Sequence, residues 1–225
     1  MTTAYDAQPS PSLGPEYRKV WASAAASNLA DGSFWVALPL IAITLTTEPA
    51  LVAGVAIAAE LPWLFFVLFA GAIADRVDRR AAMRNVQLLR VAMVAVLLLM
   101  AATDSLALWM LYAAALGLGI AETFFDTAGM SIMPNLVPRE LLDRANSRLY
   151  AVELTANELI GPPLGGLLVA LAIPVALAGS VVGYALAALG LTLVVGSFKP
   201  PPRPGSSSMV GDIREGMVFL WRTPV

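Results

Sequence analysis

Long apolar runs alternate with short polar breaks along most of the chain. A helix needs about 20 apolar residues to cross the hydrocarbon core of a bilayer, and six stretches are long enough. The pattern predicts six membrane-spanning helices with tight turns after helices 1, 3 and 5 and longer, charged turns after helices 2 and 4. We place helices 1 to 6 at residues 20–46, 50–74, 81–102, 106–130, 146–171 and 174–197.

The composition agrees with an all-α membrane protein. Hydrophobic residues make up 58% of the 225 residues and charged residues 13%, whereas ordinary soluble domains are about 25% charged. The chain has no Cys and no His, which excludes disulfides, thiolate metal sites and His-dependent catalysis. An intramembrane aspartyl protease would need a Gly-x-Gly-Asp motif, which the sequence lacks. We expect no enzyme, no metal or other cofactor and no nucleic-acid partner, and any proton chemistry must use carboxylates.

The basic residues predict the orientation of the bundle. Arg18 and Lys19 precede helix 1, and the other Lys and Arg residues follow helices 2, 4 and 6, except Arg90 inside helix 3. Basic residues concentrate on the cytoplasmic face of a membrane. Both termini are therefore predicted to be cytoplasmic.

The segments outside the helices have their own compositions. Residues 1–17 are rich in Pro and Ser and predict a disordered tail before the bundle of residues 18–198. Residues 199–208 form a Pro- and Ser-rich linker. Residues 209–225 have apolar positions at helical spacing and predict an amphipathic helix on the cytoplasmic surface.

Acidic residues inside the helices are the candidates for chemistry, because charges in a membrane are costly and usually mark a pathway or a paired site. Asp31 and Glu60 are our first choices for proton or cation coupling, since we assign no basic residue to their depth. Glu122 and Asp126 come next; they share a helix face, although Asp126 could simply lie at the water boundary. Helix 6 has no charge and helix 3 only Arg90, so these two helices should face mostly lipid.

Helix 5 carries a stripe of polar and small residues in the stretch ELTANELIGPPLGG. Asn157, Gly161 and Gly165 recur every four residues, beside Pro162 and Gly166. Small residues on one stripe let another helix approach closely. Ordinary helix packing is the explanation that physics alone favours.

The turn between helices 2 and 3 reads GAIADRVDRR. It resembles the signature G-x-x-x-D-R-x-G-R-R/K of the major facilitator superfamily, with Asp78 in place of the second glycine. The stretches SNLADGSFWVALPL, ELPWLF, MPNLVPRELLDRANS and GPPLGG, in this order, are similar to the drug and siderophore exporter branch, which includes macrolide-efflux-like proteins. The matching signature positions are Gly71, Asp75, Arg76, Arg79 and Arg80.

This resemblance implies a fold of twelve helices in two halves, each half an inverted pair of three-helix repeats. The chain would then be the N-terminal six-helix half, as a fragment, a truncated gene product or one part of a split transporter, and the C-terminal half would be its partner. The resemblance also implies that Asp75 and the following arginines form a charge-relay latch. The helix 5 stripe would pack against the second half.

The function implied is proton-coupled efflux of drugs, siderophores or similar amphipathic small molecules. The protein would lie in a bacterial cytoplasmic membrane and work by alternating access, with protons and a small-molecule substrate as its ligands. One alternative stays open, a half-transporter that does not transport by itself and acts as a partner or regulator or assembles as a dimer.

Overall fold

Six long helices, α1 to α6, make up most of the residues that the computed structural model describes, which are 12–74, 76–196 and 198–199. Each contains a stretch long and apolar enough to cross a membrane, which confirms the predicted all-α membrane architecture. Their bounds are α1 Gly14–Leu45, α2 Pro49–Ala74, α3 Arg79–Ala102, α4 Leu108–Leu136, α5 Arg139–Leu171 and α6 Ile173–Thr192.

α5 is irregular along its length. It opens with a 3₁₀ turn and continues as an α-helix to Glu153. Residues Leu154–Ile160 then form a π-helix, and α-helical geometry resumes over Gly161–Leu171. The π-helical segment immediately precedes Pro162, whose missing N–H cannot continue the regular ladder of hydrogen bonds. The irregular geometry and the Gly-Pro motif therefore meet at one point of the helix.

α1 begins at Gly14, so the predicted disordered tail of residues 1–17 is wrong for its last residues. Pro15 lies in the first turn, where a helix loses nothing by its missing N–H. Tyr17 is buried, and its hydroxyl donates to the carbonyl of Ala145 at 2.9 Å. These contacts order the start of α1. Residues 1–11, most of the linker and the amphipathic helix predicted at 209–225 lie outside the described residues.

α6 ends at Thr192 rather than at residue 197, because the chain after it folds back over the bundle. The amide of Val195 donates to the carboxylate of Glu16 at 2.7 Å, and the ammonium of Lys19 donates to the carbonyl of Leu193 at 2.7 Å. Phe198 is buried. The end of α6 is thus held at the start of α1, and we call this end of the bundle, which carries the basic turns, the basic end.

The helices pair in a pattern that repeats. α1 packs against α5 and α6, α4 packs against α2 and α3, and α3 packs against α6. If α1 is exchanged with α4, α2 with α5 and α3 with α6, the same set of packed pairs is obtained. α1 starts at the basic end, whereas α4 finishes there, since Arg79 at the start of α3 donates to Asn135 at the end of α4. The two three-helix repeats therefore run in opposite directions, as inverted repeats do.

Glycine allows a close backbone approach at equivalent places in both repeats. A Cβ on Gly32 of α1 would collide with the backbone carbonyl of Asn157 in α5, and a Cβ on Gly165 would collide with the backbone of Ser33. In the other repeat, a Cβ on Gly119 of α4 would collide with the carbonyl of Ala59 in α2. Only a residue without a side chain fits at such contacts.

Two apolar clusters fill the bundle. One extends toward the end opposite the basic end and includes Phe34, Ile41 and Leu177; the other lies at the basic end and includes Tyr17 and Ile132. The buried polar side chains described below lie where these clusters adjoin. These side chains are buried in packed protein, so their interactions are little screened by water.

Candidate functional site

A buried ion pair joins α1 to α3. Nη1 of Arg90 lies 3.0 Å from Oδ2 and 3.2 Å from Oδ1 of Asp31, and the two side chains are 0% and 4% exposed. Our assignment of no basic residue to the depth of Asp31 is therefore wrong. The long Arg90 side chain reaches Asp31 of α1 from α3.

Two hydroxyl groups complete the surroundings of the Asp31 carboxylate. The hydroxyl of Tyr184 in α6 donates to Oδ1 at 2.7 Å, and that of Ser27 lies 3.3 Å from Oδ2. Gln87 of α3 donates to the Ser27 oxygen at 2.7 Å. Gln87 belongs to α3 and Tyr184 belongs to α6. The expectation that helices 3 and 6 mainly face lipid therefore overlooks the polar side chains that they contribute to the interior.

The guanidinium of Arg90 lies over two aromatic rings. Its central carbon is 5.5 Å from the ring centroid of Phe125 in α4 and 5.3 Å from that of Tyr184, within the range of cation–π attraction. Nη1 makes the hydrogen bonds to Asp31 and Ser27. Nε and Nη2 are buried and have no acceptor in the described part of the chain. The guanidinium is thus charge-paired but only partly hydrogen-bonded.

Two further acids approach this pair from α4. Glu122 is half-buried and accepts a hydrogen bond from Nε1 of Trp35 at 3.2 Å. Asp126 lies one turn closer to the basic end and lines a crevice with Asn28 and Glu153. Phe125, which lies between them on α4, has its ring centroid 5.5 Å from the central carbon of the Arg90 guanidinium, so both acids lie on the stretch of α4 nearest that charge. The structure therefore gathers three of the four predicted coupling residues, Asp31, Glu122 and Asp126, around one cation.

Glu60 does not join this cluster. It is exposed on α2, two residues before the buried Pro62, and large apolar side chains beside it, including Trp63 and Leu64, are exposed as well. From the sequence, Glu60 and Asp31 were equal first choices for proton or cation coupling. The structure places Asp31 in an ion pair and Glu60 on an open face of the bundle.

The signature turn holds the basic end together. Nη1 of Arg79 donates to Oδ1 of Asn135 at 2.9 Å, and Arg80 donates to the carbonyl of Val194. Arg76 is exposed, and a Cβ on Gly71 would meet nothing within 4 Å. Asp75 lies outside the described residues, so the latch assigned to it stays a prediction.

Asp78, which replaces a glycine of the signature, makes two contacts of its own. Oδ1 accepts from the amide of Ala81 at 3.0 Å and caps α3, while Oδ2 accepts from the amide of Phe198 at 3.3 Å. A glycine could make neither contact. In this chain the turn is therefore bonded through Asp78 to the segment that follows α6.

The helix 5 stripe packs within this half. Gly161 and Gly165 are buried against Gly32 and Ser33 of α1, so the expectation that the stripe packs against a second half is wrong for these two glycines. Their missing side chains let α1 occupy the groove. Asn157 contributes its backbone carbonyl to the same contact, Pro162 follows at the start of the α-helical segment, and a Cβ on Gly166 would meet nothing within 4 Å.

Several residues of the site escaped the sequence reasoning, namely Ser27, Trp35, Gln87 and Tyr184. Spacing offered a signal for two of them, because Ser27 precedes Asp31 by one helical turn and Gln87 precedes Arg90 by three residues. Tyr184 is the one tyrosine in helix 6, which has no charged residue. A buried tyrosine hydroxyl normally needs a partner, and that rule could have directed attention to it.

The site can hold and redistribute charge, and its chemistry is that of carboxylates, hydroxyls and one guanidinium. Within the described residues, no group of three or more acids is placed to hold a metal ion. An acid that is ionised against Arg90 and neutral when protonated changes the charge of a buried site, which is the kind of event that shifts a conformational equilibrium.

Comparison with known proteins gives consistent matches. Residues 9–210 match the transmembrane secretion effector family. The chain is 32% identical over 183 residues to the multidrug efflux pump Tap of Mycolicibacterium fortuitum, covering 76% of the chain and 44% of the relative. It is 29% identical over 223 residues to the proteins of the same name from Mycobacterium bovis BCG and Mycobacterium tuberculosis H37Rv, covering 94% of the chain and 52% of those relatives. The chain thus spans about half the length of the curated relatives it matches.

Proposed function

The chain belongs to the transmembrane secretion effector family of major facilitator transporters, and on that premise we propose that it forms one half of a proton-coupled efflux transporter. The substrates would be drugs, siderophores or similar amphipathic small molecules. The similarity to multidrug efflux pumps supports export. The partial coverage of those relatives supports a second six-helix half as partner.

The observation that carries the proposal is the charge arrangement around Arg90. A buried ion pair contributes little net stability compared with apolar residues of the same size, so packing needs alone do not account for Asp31 and Arg90. Three acids share one buried cation, and a single guanidinium can balance one carboxylate at a time. Protonation of one acid removes its need for the cation, so proton binding can change which carboxylate is balanced, which is what a proton-coupled cycle requires.

In the proposed cycle, binding of a proton to Asp31 weakens its pairing with Arg90 and changes the relative free energies of the inward-open and outward-open states. Glu122 and Asp126 would take part from α4. Glu60, exposed among apolar side chains, would face the cavity between the two halves, because lipid is a poor environment for its charge.

The proposed orientation places the basic end in the cytoplasm of a bacterial cell, because basic turns stay on the cytoplasmic side. Asp75 would then act as a latch at that end. Its partners would be basic groups released when the halves rock, while Arg79 and Arg80 keep their contacts to α4 and to the segment after α6.

The test is transport by the complete transporter that contains this chain, reconstituted in vesicles with an imposed pH gradient. Asp31→Asn should abolish gradient-driven efflux of a fluorescent cationic dye while leaving the protein inserted. Glu48→Gln is the matched control, since Glu48 is an exposed acid in the turn between α1 and α2, and it should retain efflux. Undiminished gradient-driven efflux by Asp31→Asn would overturn the proton-coupling role of Asp31.

A further inference from the structure

We propose that Arg90 exchanges carboxylate partners, pairing with Asp31 in the arrangement described and with Glu122 once Asp31 has bound a proton. The inference deepens the proposed function, because it assigns the charge-carrying residue of the coupling site. It makes Arg90 of α3 a mobile link between α1 and α4.

The first support is the hydrogen bonding of the guanidinium. Arginine commonly grips a carboxylate with two nitrogens in a bidentate pair. Here Nη1 alone contacts both oxygens of Asp31, while Nε and Nη2 are fully buried and lack an acceptor in the described residues. Buried donors without acceptors are costly. The guanidinium therefore has unused donors that a second acceptor could satisfy.

The second support is the set of charged groups around Arg90. α1 contributes Asp31, α4 contributes Glu122 and Asp126, and α6 contributes the hydroxyl of Tyr184. α5 contributes Glu153, which faces Asp126. The acid of α2 that the sequence singled out, Glu60, is exposed on the outside of that helix. Among carboxylates, those open to Arg90 after it leaves Asp31 are therefore the two acids of α4.

Glu122 is the better of these two acceptors. Its carboxylate accepts from Trp35, which lies one turn after Asp31 on the same helix, so Glu122 already faces the part of α1 where Arg90 is bound. Asp126 lines the crevice with Asn28 and Glu153. Both acids are half-buried, so what separates them is the hydrogen bond that ties Glu122 to α1.

The two aromatic rings near the guanidinium permit the exchange. The ring centroids of Phe125 in α4 and Tyr184 in α6 lie 5.5 and 5.3 Å from its central carbon. Cation–π attraction acts on the charge and not on particular N–H groups, so it persists when the guanidinium turns. In the exchange one proton is taken up by the Asp31 carboxylate, Arg90 keeps its charge, and the ionised Glu122 becomes its counter-ion.

Trp35 can report the exchange, because its indole N–H donates to Glu122. The experiment uses the complete transporter in nanodiscs, with its other tryptophans changed to phenylalanine. Asp31→Asn mimics the protonated acid at constant neutral pH and should shift the emission of Trp35. The shift should disappear in the double variants Asp31→Asn with Arg90→Gln and Asp31→Asn with Glu122→Gln. It should persist in Asp31→Asn with Asp126→Asn, the matched control one turn away.

Unchanged emission in Asp31→Asn would overturn the exchange, and loss of the shift on Asp126→Asn but not on Glu122→Gln would overturn the assignment of Glu122. A second measurement does not need the Asp31 variant. Acid titration should give the protein with Asp31 intact a step in the emission of Trp35 that Arg90→Gln lacks, beyond the step that protonation of Glu122 itself gives in both. Identical titration curves in both proteins would refute the exchange. These readouts need no transport, so a failure of proton-coupled efflux leaves them interpretable.

Discussion

The hydroxyl of Tyr184 donates to Oδ1 of Asp31 at 2.7 Å, the same carboxylate that pairs with Arg90. Tyr184 thus contacts both members of the ion pair, since its ring also lies against the guanidinium of Arg90. α6 is thereby tied to the charged centre formed by α1 and α3. The Asp31 carboxylate of α1 therefore has partners on α3 and on α6 at the same time.

Tyr184→Phe tests the hydrogen bond alone, because it keeps the ring and removes the hydroxyl. A hydrogen bond to a charged group contributes about 1.5–3 kcal/mol, so the free energy of unfolding in detergent should fall by about that amount. Tyr112→Phe is the control, since the Tyr112 hydroxyl donates to the neutral carbonyl of Leu51 and should cost only about 1 kcal/mol. Equal losses in thermal unfolding of the two variants would contradict a charged acceptor.

Removing the cation should be more harmful than removing the pair. Arg90→Gln leaves the buried Asp31 carboxylate without its partner, and breaking a buried pair in this way costs about 3–5 kcal/mol. The double variant with Asp31→Asn has no buried charge at this point and should recover most of that loss. Thermal unfolding of the two single variants and the double variant gives the coupling energy, and strictly additive losses would show that the two residues do not interact.

The glycine contact between α1 and α5 makes a prediction about packing. Gly32→Ala places a methyl group against the backbone of Asn157. Overpacking of this kind costs about 1–3 kcal/mol, so the melting temperature and the folded yield should fall. Gly166→Ala is the matched control on the same helix pair, because a Cβ there meets nothing within 4 Å. If Gly166→Ala destabilised the protein as much as Gly32→Ala, the close contact would not be the cause.

The six helices could be predicted because each apolar run is long enough to cross a bilayer. A membrane span therefore explains each run better than the core of a soluble protein does. The ends of the helices were less predictable. The start of α1 depends on Tyr17 reaching Ala145, and the end of α6 depends on Glu16 and Lys19 binding the residues after it. Such contacts join residues far apart in sequence, and the periodicity of apolar residues cannot predict them.

The acids of the candidate site could be predicted from the sequence, but the residue with which they pair could not. Asp31, Glu122 and Asp126 stand out as charges in apolar helices, and the structure gathers them. Their common partner Arg90 was visible too, but its meaning depends on α3 packing beside α6 and on the reach of its side chain. The glycines of α5 likewise predicted close contact with another helix, but only the tertiary structure identified that helix as α1.

Asp78 is where this chain departs from the family signature, and its two contacts predict what the departure does. Asp78→Ala removes the cap of α3 and the acceptor of the Phe198 amide, which should lower the free energy of unfolding by about 0.5–2 kcal/mol. Hydrogen exchange at the amides of Ala81 and Phe198 should accelerate in the same variant, because both lose their acceptor.

Asp78→Asn is the matched control for this prediction. Asparagine caps helices about as well as aspartate, and its side-chain oxygen can accept from Ala81, so the protection of that amide should stay close to the original level. Asp78→Gly, which restores the family signature, should lose only a few tenths of a kcal/mol from the helix cap but should still expose the Phe198 amide to exchange. If the Phe198 amide stayed protected in both the Ala and the Gly variants, the bond from Asp78 would not be what holds the segment after α6 against the signature turn.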